Sequence, residues 1–256
     1  MTPFHAMLAK ELRCLGVSPV VYVVGAIFLF VSGLIAYLMV ANAGQQAVRL
    51  LQIQNAYPPL NLNALVFRPL FYSLEFVLMF LLPVLTMRVL AEERKLLTFE
   101  LLLTSPIGIN EIISAKYMSV LLVYLGLLSL TGLTPLLLSF SSSFHWGGIA
   151  TGYMALALQG GLFLACGVLA SAMTDNQVVA AFLSFGIILV TGLIGEMGSV
   201  LGDTTIGHIL SYLSFREHYD RLVRGLVEAR DVVYYLSGIV LMLFTAHRVV
   251  DAHRWQ

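Results

Sequence analysis

The stretch Ala91–Ile113, AEERKLLTFELLLTSPIGINEII, decides how this chain is read, because it is the longest charged interruption in a membrane-like first half. Apolar runs flank it, over about 69–90 and about 115–138, each long enough for the ~20 residues that a helix needs to cross a bilayer. Two membrane spans therefore meet at this segment, and a force applied to it reaches both. Within it Leu96, Phe99 and Leu103 share one helical face, while Glu92, Glu93, Arg94, Lys95 and Glu100 supply charge. A helix over about 91–104 is expected, suited to receiving another protein; an ordinary solvated charge cluster is the plainer alternative.

The composition agrees with a membrane setting. Of 256 residues, 59% are hydrophobic and only 11% charged, whereas soluble domains carry roughly a quarter charged residues. The formal net charge is zero, and no basic motif or stacking-aromatic pattern accompanies it, so a nucleic-acid partner is not expected. Cys14 and Cys166 lie in separate segments and are not expected to form a disulfide. Ala41-Asn42-Ala43 imitates a signal-peptidase site, but the apolar run Val20–Val40 before it exceeds the about 7–15 residues of a signal core. That run reads as a retained anchor.

Six spans are predicted, at about 20–41, 69–90, 115–138, 149–173, 178–198 and 232–250, within a single all-α polytopic membrane domain covering 1–256. Before the first, Phe4, Met7, Leu8, Leu12 and Leu15 recur at three- and four-residue spacing, the pattern of an interfacial amphipathic helix, ended at Ser18-Pro19. Residues 42–68 are too polar for lipid and are expected to be exposed; their first half suits a helix. Asn110 is the expected cap of the third span's helix, and Phe140, Phe144 and Trp146 suit a membrane surface. Gly160, Gly161, Ala165, Gly167 and Ser171 give the fourth span small surfaces for close helix approach. Thr174–Gln177 is so short that the fourth and fifth spans must be antiparallel neighbours.

Three residues inside the spans call for a reason. Glu75 in the second span must face protein, water or the interface, since a carboxylate in lipid costs on the order of 2.5 kcal/mol or more at mid-depth. It reads as an interfacial carboxylate or as a residue lining a substrate path. Glu196 sits between Gly195 and Gly198, which suggests a broken, half-inserted end to the fifth span and a second path residue. Pro83 is the expected pivot of the second span. Beyond Glu196, Tyr212, Phe215, Tyr219, Leu222 and Leu226 share one face and predict an outer amphipathic helix over about 209–230. Glu217–Arg221 and Asp220–Arg224 are expected as its i,i+4 ion pairs.

Six spans put both termini on one side of the membrane. Lys10, Arg13, Arg88, Arg94, Lys95, Lys116, Arg248 and Arg254 then fall on that side, against Arg49 and Arg68 in the short opposite loop. Four arginines in the longer segment after Glu196 carry less weight, because long segments are translocated largely regardless of charge. Both termini, and the opening stretch, are expected to be cytoplasmic.

At Met87–Pro106, MRVLAEERKLLTFELLLTSP, the sequence resembles the permease subunits of ABC-2 type exporters, whose first cytoplasmic loop runs acidic-basic, Gly-Thr, Glu-Leu-Leu and proline. Leu97 departs from the pattern's glycine. LAKELRCLGVSPVVYV resembles that family's elbow helix entering its first span. FREHYDRLVRGLVEARDVVYYLS resembles the extracytoplasmic helix of the gliding-motility-type permeases, which, with those of nitrous-oxide-reductase copper maturation, are the nearest in kind. The resemblance implies a coupling helix at about 91–104 that docks on a separate ABC ATP-binding subunit through Glu92, Glu93, Arg94, Lys95, Phe99 and Glu100. It also implies a second permease copy or a homologous permease, an extracytoplasmic auxiliary protein, and an inner-membrane location among lipid.

No G-x-x-x-x-G-K-[ST] phosphate loop occurs, so ATP and Mg²⁺ are expected in the partner and no cofactor in this chain. The histidines form no H-E-x-x-H and no i,i+4 pair, and no metal site is expected. The expected role is a permease subunit that couples a partner's ATP hydrolysis to export, with no catalytic residue of its own. Mechanical transmission to an outer partner without transport is one alternative. An intramembrane enzyme is the alternative of a different class, disfavoured by the absence of G-x-S-x-G.

Overall fold

The computed structural model describes residues 3–54, 62–96, 108–140, 144–202 and 204–253. Among them the fold is helical throughout, and six helical stretches are long and apolar enough to cross a membrane: Pro19–Arg49, Asn63–Lys95, Ile109–Ser139, Trp146–Met173, Gln177–Gly198 and Ala229–Ala252. The helices are α1 (Pro3–Val17), α2 (Pro19–Gln54), α3 (Arg68–Thr86), α4 (Ala91–Lys95), α5 (Ile109–Thr131), α6 (Leu133–Ser139), α7 (Trp146–Met173), α8 (Gln177–Val200), α9 (Thr205–Tyr212), α10 (Phe215–Val223) and α11 (Ala229–His253). A π-helical turn, Asn63–Phe67, leads into α3.

The bundle is built around α7. Four-fifths of its apolar window is buried, 83% against 50% or less in the other spans, and it packs against α3, α5, α8, α10 and α11. Small residues let these neighbours come close, as in membrane bundles where packing rather than hydrophobicity drives association. A Cβ on Gly160 would stand 2.5 Å from the Tyr124 ring of α5, and one on Gly167 would stand 2.6 Å from Thr86 Cβ of α3. Glycine is therefore required where α7 passes α5 and α3.

The segment after the first span does not leave the helix early. Its residues are good helix formers and carry no proline before Pro58, so α2 continues to Gln54. At 1.5 Å per residue it is about 54 Å long, well past a hydrocarbon layer of about 30 Å, and its last turns project beyond the bilayer. The second span differs at its far end. Pro83 lies inside α3 and lacks an N–H; Met87 N donates to Pro83 O at 3.0 Å, and the helix gives way to a turn before α4. Thr86 Oγ1 donates to Leu82 O at 3.0 Å, satisfying a carbonyl at this end.

Three local expectations are corrected. Gly108, not Asn110, occupies the N-cap position of α5; its extended ψ of 147° starts the helix two residues early, and Asn110 O accepts from Ser114 Oγ inside the first turn. The outer helix over 209–230 is two helices, α9 and α10, jointed at Leu213-Ser214, and Gly225 with φ 92° ends the second. Phe215, Tyr219, Leu222 and Val223 of α10 are buried, whereas Ile206, Ile209 and Tyr212 of α9 are exposed; the apolar spacing nonetheless runs across the joint in the sequence and conceals it. Finally, α8 runs unbroken through Gly195 and Gly198. These glycines admit the chain before α10 and the end of α9: a Cβ on Gly198 would stand 2.9 Å from Ser211 Cα, and one on Gly195 would stand 3.0 Å from Ser214 Cα.

Candidate functional site

The charged stretch folds against three other elements. α4 begins at Ala91, and its first amides need acceptors because a helix's leading N–H groups have no intrahelical partner. Ser171 of α7 supplies one: its Oγ accepts from Leu90 N at 2.9 Å and Ala91 N at 3.0 Å, and donates to Met87 O at 3.3 Å. Leu90, Ala91 and Ser171 are all fully buried. One hydroxyl thus clasps the turn between the second span and α4 to the central helix.

On the other side α4 is tied to α1 and α5 through Lys116. This side chain is only 2% exposed, and its Nζ lies 2.9 Å from Glu93 Oε1 of α4 and 3.2 Å from Glu11 Oε1 of α1. A buried ammonium is tolerated only when paired and hydrogen-bonded, and here two carboxylates from different helices share it. Lys10 adds a second cation, 3.8 Å from Glu11 and 4.0 Å from Glu93. α1 reaches this cluster because Met7 packs into a small core with Ile112 and Ala115, flanked by Phe4 and Leu8. Its apolar stripe lies across the start of α5.

Of the residues expected to receive a partner, Glu93 is thus engaged in the lysine cluster, and Arg94 lies 3.7 Å from Asp175 in the turn between α7 and α8. Glu92 lines a notch beside Glu93, and Lys95 is exposed. Phe99 and Glu100 lie outside the described residues. Pro83 is buried on α3, one turn before the clasp.

The opposite end of the bundle holds the other two. Gln159 Nε2 of α7 donates to Glu75 Oε1 at 2.7 Å, and Tyr235 OH of α11 donates to Gln159 Oε1 at 3.2 Å and to Phe215 O at 2.8 Å. Glu75 is therefore part of a polar chain joining the second, fourth and sixth spans to α10. Glu196 is half exposed and pairs with Arg216 at 3.0 Å. It lines an open cavity of about 340 Å³ with Tyr72, Arg216, Glu217 and Asp220. Glu75 does not line that cavity, so the two carboxylates are in different surroundings.

α10 caps this end through polar contacts. Tyr219 OH donates to Phe71 O at 2.8 Å, and burial holds its phenol well above the ordinary tyrosine range, so it stays a donor. Tyr72 OH donates to Asp220, which also holds Arg224 at 2.7 Å. Arg221 turns away from its expected partner Glu217 to Asp231 at the start of α11, at 2.6 Å, and the hydrogen bond to that carboxylate raises the guanidinium's pKa. His218 Nδ1 lies 2.6 Å from the same oxygen, and its ring stacks on Tyr234 at 4.1 Å.

Lys116, Ser171, Gln159 and Asp231 were not singled out as site residues by the sequence. Their common signal is a lone polar side chain in or beside an apolar run, which must find a partner on another helix. Sequence separation hides which partner that is.

Residues 5–248 match the model of the ABC-2 family transporter protein. No curated protein matches the chain.

Proposed function

Since the chain belongs to the ABC-2 family of transporter proteins, we propose that the segment starting at α4 couples a separate ATP-hydrolysing subunit to movement of the spans. The chain is a multi-pass transporter permease subunit; the coupling is our inference. Its main support is the double attachment of α4. The Ser171 clasp fixes the segment to the central helix, and Lys116 binds it to α1 and α5. A load on α4 is thereby delivered to the second, third and fourth spans together.

In this reading both termini and α4 face the cytoplasm, and the membrane is the inner membrane. The partner binds ATP and Mg²⁺ and presses on Glu92, Lys95 and residues 96–104, with Phe99 and Glu100 among them. Two permeases, identical or homologous, work with two such subunits. The ion pairs of Glu93 and Arg94 carry the load, and Pro83, where α3 gives way to a turn, is the pivot. Closing and opening of the ATPases then biases two arrangements of the bundle.

At the outer end the Glu75–Gln159–Tyr235 chain responds to relative motion of the second, fourth and sixth spans. Glu75 and Glu196 are the proposed path residues. The output is export of a substrate or displacement of an outer auxiliary protein, as in the gliding-motility-type and copper-maturation-type permeases that the sequence resembles. Co-purification tests the assignment: the full chain retains an ABC ATPase, and Lys95→Glu releases it while the bundle's thermal unfolding is unchanged. Retention of the ATPase by that variant contradicts the docking assignment. ATP-driven flux in vesicles containing the complex separates export from mechanical transmission.

A further inference from the structure

Where α1 turns into α2 at Ser18-Pro19, a notch of about 630 Å³ opens between α1, the start of α2, the end of α3, α4 and α5. This volume falls within the about 300–1,000 Å³ typical of small-molecule sites. Its walls are of two kinds. One is apolar and continuous with the outer surface of the first span: Val17 is almost fully exposed, and Val20, Val21 and Leu85 follow it inward. The other is charged. Lys10 and Lys116 on this wall are already committed to Glu11 and Glu93.

Two arginines remain, with one carboxylate, Glu92, on the same wall. Arg13 is exposed at the notch, and Arg88 lines it from the end of the second span. The Nε of Arg88 is buried and has no hydrogen-bond acceptor among the described residues. An unsatisfied donor of this kind is costly inside a protein, and a charged one more so. The orphan therefore points to an acceptor beyond the described residues. A planar guanidinium is the group best matched to a phosphate, which it binds through paired N–H donors.

The place of the notch, between the amphipathic α1 and the start of the first long apolar helix, points to the source of that phosphate. α1 is an amphipathic helix that reads as interfacial, and α2 enters the bilayer directly after it. Arginine donors beside an apolar wall at this level meet a lipid headgroup above and its acyl chains below. We propose that the notch holds one anionic phospholipid, its phosphate on Arg88 and Arg13 and an acyl chain along Val17, Val20 and Val21. The lipid completes the wall between α1 and the second span, beside the α4 attachment. Glu92 and Leu96, which belong to the proposed ATPase contact, also line the notch, so the lipid is tested on the chain without the ATPase.

Native mass spectrometry of the full chain tests it, with phosphatidylglycerol and phosphatidylcholine as probes. Phosphatidylglycerol is retained preferentially, and Arg88→Gln weakens that retention about tenfold, the effect of losing one charge-assisted hydrogen bond. Arg13→Gln, at an exposed position that folding does not depend on, weakens it in the same direction. A second readout uses the chain's own thiols. Cys14 lines the notch and is exposed, whereas Cys166 is buried, so maleimide reports on Cys14. Phosphatidylglycerol vesicles slow its labelling relative to phosphatidylcholine vesicles, and Arg88→Gln removes the difference.

Equal retention of the two lipids, or undiminished retention by both variants, overturns the proposal. So does displacement of the bound lipid by inorganic phosphate alone, which makes the site one for the free ion. Protection of Cys14 that depends on a co-purified protein and not on the lipid also overturns it, because a protein then fills the notch.

Discussion

Replacing Ser171 by alanine removes one oxygen and leaves two buried amides without an acceptor. In the native chain Leu90 N and Ala91 N both donate to Ser171 Oγ, at 2.9 and 3.0 Å, from positions that solvent does not reach. Each stranded donor costs about 1–3 kcal/mol. At about 1.4 kcal/mol per tenfold, opening of the turn before α4 becomes easier by about 5- to 150-fold for one such amide. The loss is local, because α7 still packs through the rest of its length. Hydrogen exchange measured by residue therefore accelerates by this factor at Leu90 and Ala91 in Ser171→Ala, while amides in the middle of α7 keep their protection. On the proposed coupling, the complex carrying the same variant hydrolyses ATP with a smaller output per ATP. Unchanged protection at Leu90 and Ala91 refutes the clasp; protection lost evenly along α7 shows that Ser171 serves general packing instead.

Three other perturbations probe different contacts. Gly167→Ala drives a Cβ into Thr86 and lowers bundle stability by about 1–3 kcal/mol, whereas Gly147→Ala, with open space around it, changes nothing in the same thermal unfolding measurement. Asp231→Asn removes the charge shared by Arg221 and His218 and costs about 3–5 kcal/mol, read as a lower unfolding temperature and faster proteolysis at residues 224–228. Glu75→Gln keeps an oxygen to accept from Gln159, so stability changes by less than about 1 kcal/mol. Flux through the reconstituted complex nonetheless falls, and full flux in this variant removes Glu75 from the path.

The spans were legible because each is a run of about 20 apolar residues bounded by polar or turn residues, and lipid admits few other solutions. The close-approach face of α7 was legible for the same reason, since glycines in a membrane helix have few other uses. The polar architecture was not. Lys116 stands at the start of an apolar run, and nothing in its own neighbourhood indicates Glu11, which comes from a helix more than a hundred positions earlier. The joint between α9 and α10 was hidden because Tyr212, Phe215, Tyr219 and Leu222 keep the spacing of one helix in the sequence, although Tyr212 is exposed and only the three that follow it are buried. Gly195 and Gly198 misled in the opposite sense: they serve contacts to other chain segments rather than a break in their own helix. The site was read in part. The charged stretch was found from its contrast with the runs around it, but its attachments lie on residues whose roles only packing reveals.

The claim that a separate ATPase engages the α4 end of the bundle is tested most directly by two-ended cross-linking. Single cysteines replace the exposed Lys95 of α4 and, at the opposite end of the bundle, Glu217, in a chain whose Cys14 is changed to serine, and the chain is co-purified with its ATPase. The account predicts that Lys95→Cys cross-links to the ATPase with a yield that changes on adding ATP, and that Glu217→Cys does not cross-link to it. Cross-linking from Glu217→Cys but not from Lys95→Cys contradicts it.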